Sequence, residues 1–173
     1  MAETARQSSD YLEPDNDLYD DEDTQKDKYL TFQIAREQYG IEICHITEII
    51  GIQTITELPE MPDFIKGVIN LRGRVVPAMD VRARFNLPHR EYDARTCIIV
   101  VEINATSVGL IVDQVMEVID IPAESIEPPP KAAAKNGSNF LQGVGKVENE
   151  VKIILNVSRL LFDKELEELR KAA

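Results

Sequence analysis

Tryptophan is absent from this chain, and aromatic residues make up only 6% of it. So few π-faces leave little material for base-stacking platforms or sugar-binding surfaces. No run approaches the roughly 18 uninterrupted apolar residues that a membrane-spanning helix needs. The opening residues, MAETARQSSD, carry no apolar signal-peptide core. The expectation is a cytoplasmic chain without direct membrane insertion. Positive charge is also short: 31 acids face 19 bases, a net of -12. That balance argues against nucleic acid or an anionic membrane as partner.

Histidine and cysteine occur twice each. Neither His45 nor His89 has a second histidine or a cysteine at ligand spacing, so no zinc site is expected and no metal or cofactor is assigned. Cys44 and Cys97 lie inside apolar strand patterns and read as reduced, buried thiols. Read on a strand, Cys44 and His45 would point to opposite faces and form no catalytic pair. No GxSxG elbow is present. Gly143-Val144-Gly145-Lys146 lacks the upstream glycine of a phosphate loop, and Val147 stands where Ser or Thr is needed. Among Glu42, Glu48, Asp80 and Asp113 nothing selects two carboxylates as an acid–base pair. No Gly-rich dinucleotide turn follows a strand. The chain reads as a non-enzyme.

What is there begins with an uneven charge. Residues 1–27 hold ten acids and two bases, few apolar residues and no period. They are expected to form a disordered, solvated tail. Residues 28–173 carry a net of only -4, from 21 acids and 17 bases. Tyr29–Ile34 reads as a strand, Glu37–Gly40 as part of a turn, and Ile41–Ile43 as a resumed strand. Val68–Leu71 and Val75–Met79 flank Arg72-Gly73-Arg74, a hairpin turn in which Gly73 supplies the left-handed conformation. Asp80 is placed to cap a short helix running to Phe85.

The body is written twice. At an offset of 69, Ile103 falls under Ile34, Gly109 under Gly40, Val115 under Ile46 and Glu117 under Glu48. After a longer connection the offset becomes 76. Phe140-Leu141-Gln142-Gly143-Val144 then falls under Phe64-Ile65-Lys66-Gly67-Val68, and Asn149 under Gly73. The spacing predicts two similar β units, a first over roughly 28–95 and a second over roughly 96–163, whose ends can cross over. Units this small are marginal alone and should share a core. Closure into small barrels removes exposed strand edges. The insertion Pro122–Asn139, with Pro128-Pro129-Pro130, reads as a mobile loop. Lys164–Arg170, within a 164–173 segment, reads as an amphipathic helix, with Ser158 and Asp163 as N-cap candidates.

Without a catalytic constellation, a binding surface remains. Arg72 beside a tight turn has two readings: an anchor for a partner's carboxylates or carbonyls, or an internal partner of Glu48 that fixes the turn. Ile46, Val115 and Ile98 fit a core, or an apolar groove between two barrels suited to a helical partner.

Tyr39-Gly40-Ile41, Glu48-Ile49, the block Phe64-Ile65-Lys66-Gly67-Val68-Ile69-Asn70-Leu71-Arg72-Gly73, Val75-Val76-Pro77 and Asp80-Val81-Arg82 resemble the CheW family of chemotaxis coupling proteins, from about Tyr29 to Phe162. Val81 stands where the family usually has leucine. The resemblance implies a mostly β fold of two SH3-like five-stranded barrels packed together, and no catalysis. It implies an adaptor that couples the cytoplasmic tip of methyl-accepting chemoreceptors to the regulatory domain of the histidine kinase CheA, recruited to membrane receptor arrays, with self-association in array rings. Carried over, the receptor-binding residues are Ile46, Glu48, Gly67, Arg72 and Ile98, and the kinase contacts lie around Gly109 and Val115. A scaffold serving another chemosensory pathway, such as motility or biofilm control, and a self-associating structural β protein remain open alternatives.

Overall fold

The computed structural model describes residues 25–131 and 140–161. The tail up to residue 24, residues 132–139 of the insertion, and the segment from 162 onward, where the expected helix Lys164–Arg170 and the N-cap candidate Asp163 fall, lie outside the described residues. The strands are β1 (Lys28–Ile34), β2 (Glu37–Glu42), β3 (Ile46–Gly51), β4 (Ile65–Leu71), β5 (Arg74–Asp80), β6 (Cys97–Ile103), β7 (Thr106–Val112), β8 (Gln114–Asp120), β9 (Ile126–Glu127), β10 (Leu141–Val147) and β11 (Glu150–Leu155). One short helix, α1 (Val81–Arg84), follows β5, and the Asp80 carboxylate caps it by accepting from the Ala83 amide. Glu37–Gly40 belongs to strand β2. The turn before it is the pair Ala35-Arg36, because Ile34 already pairs with Glu37.

The strands form two sheets, ordered β8-β1-β2-β11-β10-β9 and β3-β6-β7-β5-β4. The mostly β class and its two five-stranded units, with two-residue β9 added to one, follow the sequence reading. The sheets cut across the sequence repeat, however. The first hairpin of each repeat, β1–β2 or β6–β7, sits among strands of the other repeat. It joins there through a parallel pairing, β2 with β11 and β7 with β5. The spans 28–95 and 96–163 are therefore units of sequence, not of sheet. Exchanging hairpins lets each half bury the apolar face of the other, which neither could cover alone.

The glycines show why the pairings close. Gly40 sits opposite Ile154 and Gly109 opposite Ala78, equivalent places in the two sheets. A β-carbon on Gly109 would lie 2.8 Å from Ile98 Cγ2, and one on Gly40 would lie 3.2 Å from Ile154 Cδ1. Gly67 (φ +147°) packs against the backbone of Thr56, and its equivalent Gly143 against Glu127. The hairpin after β4 turns through Arg72 (φ 54°) and Gly73 (φ 84°), and that after β10 through Glu148 (φ 49°) and Asn149 (φ 68°). Both are two-residue turns with two left-handed positions, the geometry that matches strand twist. Gly73 thus has the turn role expected of it, and its amide donates to Asn70 Oδ1 at 2.9 Å.

Among the described residues, three apolar clusters fill the interior. Ile69, Val76, Ala78, Ile98, Val100 and Ile111 fill one unit. Tyr29, Ile121 and Ile154 lie inside the other. The largest cluster joins Leu30, Phe32, Ile34 and Ile41 of one sheet to Ile99, Val101, Ile103 and Leu110 of the other. Strand β6 feeds both sides, with Ile98 and Val100 facing one cluster and Ile99 and Val101 the next.

Polar groups tie the seam. Asp113 accepts from Arg82 Nε at 2.7 Å and Nη2 at 2.6 Å, and from the Ala35 amide at 2.8 Å. Burial alone would raise the Asp113 pKa. The two hydrogen bonds from Arg82, the Ala35 amide and the charges of Arg82 and Arg90 outweigh it and hold the carboxyl below its usual range. The Arg84 guanidinium lies 4.8 Å from the centre of the Phe64 ring and 5.4 Å from that of Phe140, while its Nε donates to Leu160 O at 2.7 Å.

Candidate functional site: a cleft beside the β4–β5 hairpin

The five-stranded sheet curls until the β4–β5 hairpin tip meets β3. A cleft of about 330 Å³ opens there, lined by Thr47 and Glu48 of β3, Arg72 and Arg74 of the hairpin, and Val100 and Glu102 of β6. Arg72 Nη2 lies 3.3 Å from Glu48 Oε2, with the arginine side chain 82% exposed and the glutamate 22%. The backbone reason is the turn: with Arg72 and Gly73 both left-handed, the hairpin is short and its side chain projects from the tip. Arg72 thus makes the internal pair with Glu48 that was one of its two sequence readings, and most of its side chain stays in solvent. Glu48 Oε1 is buried with no hydrogen-bond partner among the described residues. An acceptor in that state favours an incoming donor. Arg74 Nη2 donates to Ser107 Oγ at 3.1 Å, fixing the opposite wall.

The sequence-derived set divides. Glu48 and Arg72 meet in the cleft. Ile46 is half-buried and packs on the shared core. Ile98 is fully buried in the interior of the five-stranded unit, and Gly67 and Gly109 are buried against backbone or side chain. These three are not contact surface: a continuous apolar run such as β6 is buried on both faces, and the glycines are there to let chains approach. Val115 is half-buried on β8, an edge strand. Its neighbours Met116 (43% exposed) and Val118 (53%) present the apolar surface there, and sequence reasoning passed over them.

The cysteines also differ from expectation. Both are free, but Cys44 is exposed and Cys97 half-buried. Cys44 and His45 lie in a 3-10 turn, Ile43–His45, rather than on a strand. Both side chains converge on Glu42, with Cys44 Sγ 3.5 Å and His45 Nε2 3.7 Å from Glu42 Oε2. Burial and the neighbouring Glu42 charge push the Cys44 thiol pKa up. Among the described residues no helix is long and apolar enough to cross a membrane.

Comparison with known proteins gives a consistent result. The family model described as CheW-like domain matches residues 28–165. Chemotaxis protein CheW of Klebsiella aerogenes is 37% identical over 139 residues, covering 80% of this chain and 84% of the relative. Chemotaxis protein CheW of Bacillus subtilis is 34% identical over 139 residues, covering 80% of this chain and 88% of the relative. The crystal structure of the scaffolding protein TtCheW from Thermoanaerobacter tengcongensis superposes with a TM-score of 0.72 at 38% identity, covering 80% of this chain and 94% of that one.

Proposed function

This chain belongs to the CheW-like domain family, and from that membership we propose that it is a non-enzymatic adaptor coupling chemoreceptors to the histidine kinase CheA. The observation that carries the reading is the family match across both repeats, 28–165, which includes every strand of both sheets.

One surface takes the receptor. The α-helical tip of a chemoreceptor docks at the cleft beside β3 and the β4–β5 hairpin. Arg72 supplies a planar set of donors to carboxylates or carbonyls of the tip, and Glu48 holds the guanidinium in place while its unpartnered oxygen accepts from the tip. Ile46 and the buried Ile98 and Gly67 support this face from beneath. The second surface takes the kinase regulatory domain on the β8 edge, where Met116 and Val118 are exposed beside Val115; Gly109, buried on β7 of the other sheet, supplies no contact there. An adaptor with two separate faces raises the effective concentration of receptor and kinase for each other without chemistry of its own. Its working place is the cytoplasmic side of a receptor array.

The test is calorimetric titration of the full chain with a receptor-tip fragment. Wild type binds, and Arg72→Glu abolishes binding while its thermal melt stays close to wild type. Binding unchanged in Arg72→Glu removes the cleft from the account; a collapsed melt makes Arg72 a structural residue.

A further inference from the structure

The connection between β2 and β3 carries the chain from one sheet to the other, and it holds three ligand-type side chains. Glu42 ends β2, and Cys44 and His45 follow in the 3-10 turn. One ligand atom from each, a carboxylate oxygen, a thiol sulfur and an imidazole nitrogen, lies within 4.8 Å of the others. The two closer separations, 3.5 Å for sulfur to oxygen and 3.7 Å for nitrogen to oxygen, are near the edges of a tetrahedral zinc site. Zinc–ligand bonds of roughly 2.0–2.3 Å give edges of about 3.6 Å and about 3.4 Å for those pairs. The third separation, sulfur to nitrogen, is also within 4.8 Å, and Cys44 is exposed.

Two further observations point the same way. Gln142 Nε2 donates to Glu42 Oε1 at 3.4 Å, which turns the other carboxylate oxygen toward Cys44 and His45. An outer hydrogen bond of this kind is how ligating carboxylates are oriented. The internal repeat supplies the other. Cys44 is the counterpart of Asp113, and Ser158 that of Arg82. In one sheet that position is closed by the Arg82–Asp113 pair at 2.6 Å. In the other, Glu42 and His45 border an open cleft of about 570 Å³ with Asn156 and Ser158. Where one half is pinned by an ion pair, its counterpart leaves Glu42 and His45 beside that cleft and Cys44 beside a second one that Glu42 also borders.

We propose that Glu42, Cys44 and His45 form a binding site for a divalent cation of the zinc class. Glu42 Oε2, the Cys44 thiolate and His45 Nε2 are the three protein ligands. Water from the adjoining cleft fills the fourth position. Binding releases the Cys44 thiol proton to solvent and leaves the metal's oxidation state unchanged, so affinity rises with pH. Mixed sulfur, nitrogen and oxygen ligation selects a borderline-soft ion over magnesium or calcium. The bound ion would stiffen the β2–β3 connection locally, whereas Arg82–Asp113 ties the equivalent connection to a separate element.

The test uses the metal-free full chain, with cobalt(II) as the spectroscopic probe and zinc as competitor. One equivalent of cobalt should give a thiolate-to-cobalt charge-transfer band and the intense visible bands of tetrahedral cobalt, both bleached by one equivalent of zinc. Cys44→Ser should lose the charge-transfer band. His45→Ala and Glu42→Gln should each weaken binding at least about tenfold. Cys97→Ser should bind as wild type, and zinc should raise the melting temperature of wild type but not of Cys44→Ser. Absence of a thiolate band at stoichiometric cobalt overturns the proposal. So does a band indifferent to His45→Ala and Glu42→Gln, which is a lone thiol. A weak octahedral spectrum surviving Cys44→Ser also overturns it, because carboxylates elsewhere then hold the metal.

Discussion

Arg72 at the tip of the β4–β5 hairpin is held 3.3 Å from Glu48 on β3, with the arginine almost entirely in solvent and the glutamate largely covered. An exposed pair of this kind contributes about 0–1 kcal/mol to folding. Its value lies in orientation, because a guanidinium already fixed loses less freedom when a partner binds. Arg72→Ala should therefore lower affinity for the receptor tip at least about tenfold while barely moving the melt. Glu48→Ala should weaken binding less. The double variant should fall short of the sum, because Glu48 acts partly through Arg72. Calorimetric titration of the four proteins measures the cycle.

The β8 edge should serve the kinase alone. Val118→Lys places a charge on an apolar side chain 53% exposed, so the fold should tolerate it. Binding to the kinase regulatory domain should drop at least about tenfold, with the receptor titration unchanged. Loss of both activities together would mean that the two faces are not separate.

Gly67→Ala should be among the more damaging single-atom changes in the chain. The new β-carbon would sit 2.0 Å from Thr56 O at a φ of +147°. A loss of about 2–3 kcal/mol is expected from urea melts, at the upper end of ordinary substitutions. Gly51→Ala is the control, since nothing lies within 4 Å of its position.

Acid should weaken the fold through Asp113. Its folded pKa is depressed below 3.8 by the Arg82 hydrogen bonds winning over burial, with help from the Ala35 amide. A depressed carboxylate contributes stability that is present above its unfolded pKa of about 3.9 and lost as pH falls through the folded value. Urea midpoints should hold from pH 7 to about pH 5 and then decline below about pH 4. Asp113→Asn leaves Arg82, only 15% exposed, without its counter-charge. It should cost about 3 kcal/mol at pH 7 and flatten the acid limb.

Arg84→Ala removes a hydrogen bond to Leu160 O and a cation packed on Phe64 and Phe140, equivalent residues of the two repeats. Differential scanning calorimetry should show a loss of about 2 kcal/mol, from the charged hydrogen bond and the cation–π contacts together.

Much of this was legible in the chain itself. The offsets of 69 and 76 pair Gly40 with Gly109, Gly67 with Gly143 and Gly73 with Asn149, and each pair occupies equivalent places in the two sheets. That the ends could cross over was part of the reading, but which hairpins exchange was not readable, because a repeat says that two units are alike and not which copy a hairpin packs against. Ile98 misled for a related reason. Cys97–Ile103 is apolar almost throughout, so period alone could not separate its two buried faces. The Glu42–Cys44–His45 convergence was hidden by reading a 3-10 turn as strand, which sends neighbours to opposite sides. The contact between Arg72 and Glu48 was legible as one of two readings of Arg72, because a tight turn fixes where its side chain goes.

The most direct measurement is co-sedimentation of the kinase regulatory domain with vesicles bearing a chemoreceptor, with and without this protein. The kinase domain should sediment only when the protein is present, and Arg72→Glu and Val118→Lys should each abolish it. Sedimentation that is independent of the protein, or a folded protein that binds neither partner, would contradict the adaptor role.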